Sequence, residues 1–260
     1  MATERQDSSE TTGPVAVQDT AMGIRTLRLN MPGQANALSP EMIAALLREV
    51  SLAYTDETKL LVLSGEGKNF CAGLFSDPKS EPDAGDHVTT AVSIESFLQL
   101  LWNAPFVTMA MVDGAAVGAG AEMAVVCDYR VMGKAAKFAF PGYRLLGVSL
   151  GTRRFAQIVG PEKAFDIVIN NRRLDRDTAK SIGLGTHALD QSEADALIAE
   201  LTESLQQIEK PSIAHLRDAL RSGNGERDLS RVAASIGTAT RESRNTQKEI
   251  ESVIRQDGAQ

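Results

Sequence analysis

The sequence is poor in the residues that hold folds together covalently or through metals. It has 2 cysteines and 3 histidines in 260 residues. Cys71 and Cys127 each sit in an apolar segment, the setting of small buried hydrophobes rather than of disulfide halves. His87, His187 and His215 share no ligand spacing, so no metal site is expected. Positive charge is also in short supply: Lys plus Arg is 27 against 34 Asp plus Glu, a net charge of −7, with no basic tract to meet a phosphate backbone. No nucleic acid is expected as a partner. Apolar stretches such as Ala104 to Val112 fall well short of a bilayer span, and the opening "MATERQDSSETTG" has no apolar signal core. The expectations that follow are no membrane partner and a cytoplasmic protein. Ser149 has no evident histidine partner, "GAG" lacks the third glycine of a dinucleotide fingerprint, and no P-loop lysine follows it. Serine hydrolysis and nucleotide binding are both disfavoured.

What is present is enough apolar material, 43% of the chain, to bury one large core or a main domain with a smaller appendage. Residues 1–13 are Ser, Thr, Glu and Gly rich without periodicity and are expected to be a disordered tail. From there "GIRTLRLN" (Gly23 to Asn30) alternates like a half-buried strand. "LSPEMIAALLREVSLAY" then opens a helix with Ser39 as N-cap and Pro40 in its first position. The strand-to-helix pattern recurs from "KLLVLSG" to a helix around Ala91 to Trp102, and from "PFVTMAMVDG" to a helix containing Glu122. Repetition of that kind predicts an α/β core. From Glu162 onward strand signals fade and the segments up to Arg255 read as helices. The expected division is a tail at 1–13, a core at 14–195 and a helical region at 196–260.

One stretch joins local structure to chemistry. "GAAVGAGAEMAVVCDYR" (Gly114 to Arg130) has little side-chain bulk before it delivers a single acid, Glu122. Small residues let a ligand approach the backbone, and a helix starting there points unpaired N–H groups and a positive dipole end outward. A second small turn, "FCAGL" (Phe70 to Leu74), follows the strand ending near Ser64 and can supply another N–H. Two converging amides make an oxyanion hole, beside which Glu122 would act as acid or base. A tight helix–sheet packing site, with an acid that merely complements the helix dipole, explains the same pattern equally well.

"LNMPGQANALSPEM", "KNFCAGL", "APFVTMAMVDGAAVGAGAEMAVVCDYRV", "KFAFPGYRLLG" and "NNRRLDRDTAKSIGL" resemble, in order and approximate spacing, the enoyl-CoA hydratase/isomerase family, the crotonase superfamily. The resemblance runs from about Gly23 to Asp190. It implies a spiral of ββα units and C-terminal helices that drive assembly into a homo-trimer or hexamer. It also implies an acyl-CoA thioester as substrate, with no separate cofactor. Matched position by position, the oxyanion donors are the backbone N–H groups of Leu74 and Ala119. Glu122 falls on a catalytic glutamate, and Ala35, Ala37, Ala72, Gly73, Gly118 and Gly142 fall on the substrate path.

The chain departs from that pattern at named places. Typical hydratases carry a second glutamate just after the proline of the segment matching "FAFPGYRLLG"; here that position is Gly142, followed by Tyr143 and Arg144. Gln34 stands where a basic residue usually precedes the Asn-Ala step. Arg153 and Arg154 are read as a solvated helix face or an oligomer contact. Tyr143 is either a packed aromatic with a wet hydroxyl or a second catalytic group. The polar stretch "FSDPKSEPDAGDHVTT" (Phe75 to Thr90) is expected to be a loop over the acyl group, with Asp77, Asp83, Asp86 and His87 in solvent. Three activities fit these residues: an acyl-CoA hydratase or lyase using Glu122, a decarboxylase or double-bond isomerase using Tyr143 or Glu122, and a non-catalytic subunit of the same fold.

Overall fold

Alternation decides the first strands. In the segment Ile24–Leu29, Arg25, Leu27 and Leu29 are buried on one face while Arg28 stands exposed on the other. The helix that follows, Pro40–Thr55, starts where the sequence says it should: the Ser39 hydroxyl accepts the Met42 N–H at 3.2 Å and Pro40 occupies the first position. It turns Met42, Ile43, Leu46 and Val50 into the core, the spacing of one helical face.

The computed structural model describes residues 8–10, 13–75, 84–146 and 151–221. In chain order the strands are β1 (Ser8–Glu10), β2 (Val15–Asp19), β3 (Ile24–Leu29), β4 (Leu60–Gly65), β5 (Asn69–Cys71) and β6 (Val107–Val112). They continue as β7 (Ala115–Val117), β8 (Tyr129–Met132), β9 (Lys137–Ala139), β10 (Leu174–Asp175) and β11 (His187–Ala188). The helices are α1 (Pro40–Thr55), α2 (Ala84–Trp102), α3 (Ala119–Val126), α4 (Gly142–Leu146), α5 (Thr152–Val159), α6 (Pro161–Ile169), α7 (Arg176–Ser181), α8 (Gln191–Gln206) and α9 (Lys210–Arg221).

Seven strands form one sheet in the order β1-β2-β3-β4-β6-β8-β11, parallel from β3 onward. Four short strands form a second sheet, β10-β9-β7-β5. The repeat is now explicit. β4, β5 and α2 make one unit, β6, β7 and α3 the next, β8, β9 and α4 the third; each gives one strand to each sheet and then a helix. This is an α/β spiral of ββα units. Leu61, Leu63, Ala110 and Val112 of the large sheet meet Phe97, Leu101, Met123 and Val126 of the helices in one core.

Several expectations change on this frame. Within the tail foreseen at 1–13, Ser8–Glu10 pairs antiparallel with β2 at the edge of the large sheet. Two-residue strands occur beyond Glu162, β10 and β11, each paired to a longer neighbour. The boundary foreseen at 195/196 falls inside α8, which starts at the Asp190–Glu193 capping box and runs to Gln206. By contacts the chain forms two units, Met1–Lys210 and Pro211–Gln260. Of the second unit only 211–221 is described, as helix. Cys71 and Cys127 are both buried and neither forms a disulfide among the described residues. No helix among the described residues is long and apolar enough to cross a membrane.

Candidate functional site

The two small turns of the sequence come together at the ends of β5 and β7. Gly73 has φ +86°, and a Cβ there would lie 2.5 Å from the Val117 carbonyl oxygen and 3.3 Å from the Ala119 nitrogen. Only glycine satisfies both the left-handed backbone and the approach. One residue further into α3, a Cβ on Gly120 would sit 2.3 Å from the Cys71 carbonyl oxygen. Gly118 is the N-cap of α3, and its own N–H donates to Ala139 O at 2.9 Å, which ties the turn to β9. The stripe of small residues is thus a site of main-chain contact between neighbouring units.

Main-chain pairing also decides where the two candidate donors point. Leu38 and Leu74 form a parallel bridge in which Leu38 N–H donates to Gly73 O at 2.7 Å and Phe75 N–H to Leu38 O at 3.2 Å. The bonds run through the residues flanking Leu74, so the Leu74 N–H faces away from Leu38. Ala119 is the first residue of α3, where no intrahelical acceptor exists. Among the described residues neither N–H donates to a protein acceptor. Cys71 completes the turn: its Sγ accepts the Gly73 N–H at 3.5 Å, and full burial pushes its thiol pKa up to about 12.

The loop carrying Ala35 and Ala37 is closed by main-chain bonds of its own. Ala35 N–H donates to Pro32 O and Ala37 N–H to Gln34 O, both at 3.1 Å, while Ala35 O accepts the Ala72 N–H at 3.0 Å. Their amides are spent inside the protein, and only carbonyl lone pairs can face a ligand. Between them lies Asn36, a residue the sequence did not single out. It is fully buried with φ +55°. Its Oδ1 accepts the Met31 N–H at 3.0 Å, and its Nδ2 donates to Glu66 O at 2.9 Å and Asn69 O at 2.8 Å. Asn36 therefore pins this loop to the β4–β5 turn, and the loop in turn holds Ala72, Gly73 and Phe75. The only signal in the sequence was an Asn between two alanines, a residue type that tolerates the left-handed region.

Glu122 stands one turn into α3, its N–H donating to Gly118 O at 3.0 Å, and it is 4% exposed. The neighbouring α3 positions Ala121, Met123, Ala124 and Val125 are buried too. The carboxylate is thus inside the core, a turn away from the Ala119 N–H.

The other foreseen residues differ widely in exposure. Gly142 is half-buried at the start of α4, and Tyr143 is 51% exposed. Arg153 is exposed, but Arg154 is not the solvated residue foreseen. It is buried, its Nη2 lies 2.6 Å from Glu95 Oε1, and its guanidinium carbon is 5.9 Å from the centre of the Trp102 ring. A step of about 100° per residue sends adjacent helical side chains to different faces. Half of the loop foreseen at 75–90 is helix, since α2 begins at Ala84 and includes Asp86 and His87. Asp77 and Asp83 lie outside the described residues. "GVSLG" (Gly147 to Gly151) has the GxSxG spacing, and residues 147–150, Ser149 among them, lie outside the described residues.

The whole of this architecture has relatives. The enoyl-CoA hydratase/isomerase family model matches residues 19–255. The chain belongs to that family. A Mycobacterium leprae relative, provisionally described as an enoyl-CoA hydratase, is 29% identical over 188 residues, 70% of this chain and 74% of its own. Human ethylmalonyl-CoA decarboxylase is 30% identical over 200 residues, 75% of this chain and 65% of its own, so the match spans under two thirds of that family member. A Bordetella parapertussis structure, provisionally described as an enoyl-CoA hydratase/isomerase, superposes with a TM-score of 0.77 at 32% identity, covering 96% of this chain and all of that one. The protein carries an enoyl-CoA hydratase/isomerase-type catalytic fold.

Proposed function

We propose that the protein is an acyl-CoA enzyme of the hydratase or lyase type whose reaction passes through a thioester enolate. The thioester oxygen takes the Leu74 and Ala119 N–H groups, the backbone of Ala72, Gly73 and Gly118 lines its approach, and Glu122 moves the proton. One observation carries this reading: two main-chain donors without protein acceptors among the described residues lie on turns in contact, a helical turn from the buried Glu122. Enolate formation gathers charge on the carbonyl oxygen, and removal of one oxyanion donor typically costs roughly 3 kcal/mol of barrier. The coenzyme is part of the substrate, its adenine end meeting carbonyls near Ala35 and Ala37. The working form in this reading is a homo-trimer or hexamer, which light scattering measures; a stable monomer at assay concentration overturns that part.

A second reading is decarboxylation of a malonyl-type thioester, favoured by Gly142 at the second glutamate position and by similarity to ethylmalonyl-CoA decarboxylases. Breaking the bond to the carboxylate carbon leaves its electron pair as the same enolate, carbon dioxide departs, and one acid, Glu122 or Tyr143, protonates the α carbon. A single acid then suffices.

A panel of 2-enoyl-CoA, 3-enoyl-CoA and alkylmalonyl-CoA thioesters separates the reactions by product: a β-hydroxy thioester, a shifted double bond or carbon dioxide. Ala119→Pro removes one donor at a position where proline fits a helix start. Turnover of the preferred thioester should fall by about 10²–10³-fold; parental turnover in the folded variant overturns the oxyanion assignment.

A further inference from the structure

Gly151, the N-cap of α5, has φ −105° and ψ 6°, a conformation open to any residue, so backbone freedom does not explain a glycine there. Space does. A Cβ on Gly151 would lie 2.8 Å from Glu122 Cγ, 3.0 Å from its Cβ and 3.1 Å from its Cδ. The Glu122 side chain lies against the start of α5 with no room for a methyl group between them. The position of that turn therefore limits where the carboxylate can stand.

Two contacts fix the turn. On one side Phe155, whose N–H donates to Gly151 O at 2.9 Å, stacks on Phe140 with ring centres 4.3 Å apart. On the other, Arg154, three residues along from Gly151, is 7% exposed and reaches Glu95 through Nη2 at 2.6 Å and Nη1 at 3.4 Å, beside the Trp102 ring. Glu95 and Trp102 are both on α2, so the ion pair is a strut between α2 and the start of α5. A fork of two hydrogen bonds fixes orientation as well as distance.

We propose that Arg154 is a positioning residue for Glu122, acting through the first turn of α5; this rests on the acid–base assignment of Glu122 above. The strut sets where the carboxylate stands relative to the acyl carbons and takes no part in coenzyme binding. Its loss therefore falls on turnover rather than on affinity.

The test measures kcat and KM for the thioester the parent turns over, with folding checked by circular dichroism. Arg154→Met should lower kcat by about 10-fold or more, inside the ~10²-fold that a misplacement of about 1 Å can cost, with KM changed by no more than about twofold. Arg154→Lys, which keeps the charge, should recover much of the loss. Gly151→Ala should lower kcat by displacing Glu122 directly, and Arg153→Met, on the exposed face of the same turn, should match the parent. In a Glu122→Gln background, Arg154→Met should add no further loss to the residual turnover. Parental kcat in Arg154→Met, a loss confined to KM, or a loss that adds fully to that of Glu122→Gln overturns the proposal. If Arg154→Met does not fold, parental kcat in Gly151→Ala overturns it. Parental turnover in Glu122→Gln alone defeats the acid–base assignment instead, and the two failures are told apart in this way.

Discussion

The two sides of the candidate site are built from different materials. On one side, Asn36, Cys71 to Leu74 and Gly118 to Ala119 present main-chain groups whose positions follow from strand pairing and from glycines in contact with a neighbouring backbone. On the other, the Glu122 side chain lies against the start of α5, and that arrangement depends on side-chain packing and on the Arg154–Glu95 ion pair. An amide N–H is there whatever residue carries it, so the first side is a property of the fold. The second is a property of individual residues. The departures from the family pattern, at Gly142 and Gln34, are changes of side chain, and a fold can keep its main-chain frame while side chains vary the reaction.

The sharpest break of this contrast is Glu122→Gln. It keeps size and hydrogen bonding, leaves the main-chain side untouched and cannot exchange a proton. Turnover should fall by at least about 10²-fold, within the 10²–10⁴ that general acid–base catalysis supplies, with acyl-CoA affinity and oligomeric state retained. Calorimetric titration with a non-reacting acyl-CoA beside the kinetic assay checks both halves of that statement.

A smaller effect, of another kind, is expected from Asn36→Ala on the main-chain side. It leaves the Met31 N–H and the Glu66 and Asn69 carbonyls without their partner and puts alanine at φ +55°. The cost should be on the order of 3 kcal/mol in stability. Thermal unfolding and kcat should fall together, because the same loop holds the turn that carries Leu74. A melting temperature equal to the parent's would show that the loop is held by something other than Asn36.

The smallest effect separates the two reactions. Tyr143 is half exposed, so Tyr143→Phe should change hydration or isomerisation by no more than about twofold, as expected of an exposed group outside the transition state. A drop of about 10-fold or more in release of carbon dioxide from an alkylmalonyl-CoA would make Tyr143 the proton donor of a decarboxylase.

Much of the main-chain side was legible in the sequence. The alternation of β3, the apolar β4 and β6 and the Ser39–Pro40 start of α1 are local signals, and they fix the frame on which the small turns sit. β7 and β9, of three residues each, were not legible, since their order comes from parallel pairing with one another and with β5 rather than from any pattern of their own. Asn36 escaped because its value lies in carbonyls 30 and 33 residues away. Arg154 escaped because an adjacent pair of arginines reads as a charged surface until a helix turns one of them inward. Gly151 was not singled out; its reason is a side chain 29 positions earlier, and no reading along the chain shows that.

The buried thiol of Cys71 gives this architecture a built-in clock. With its pKa raised to about 12, Cys71 holds almost no thiolate near neutral pH, and its sulfur is shut between the turn and the helix that would flank a bound thioester. An alkylating reagent can then react with Cys71 only in the moments when that turn opens. The rate of labelling measures how often the enolate-binding backbone comes apart, and tight occupation of the site should slow it in proportion to the stability it adds.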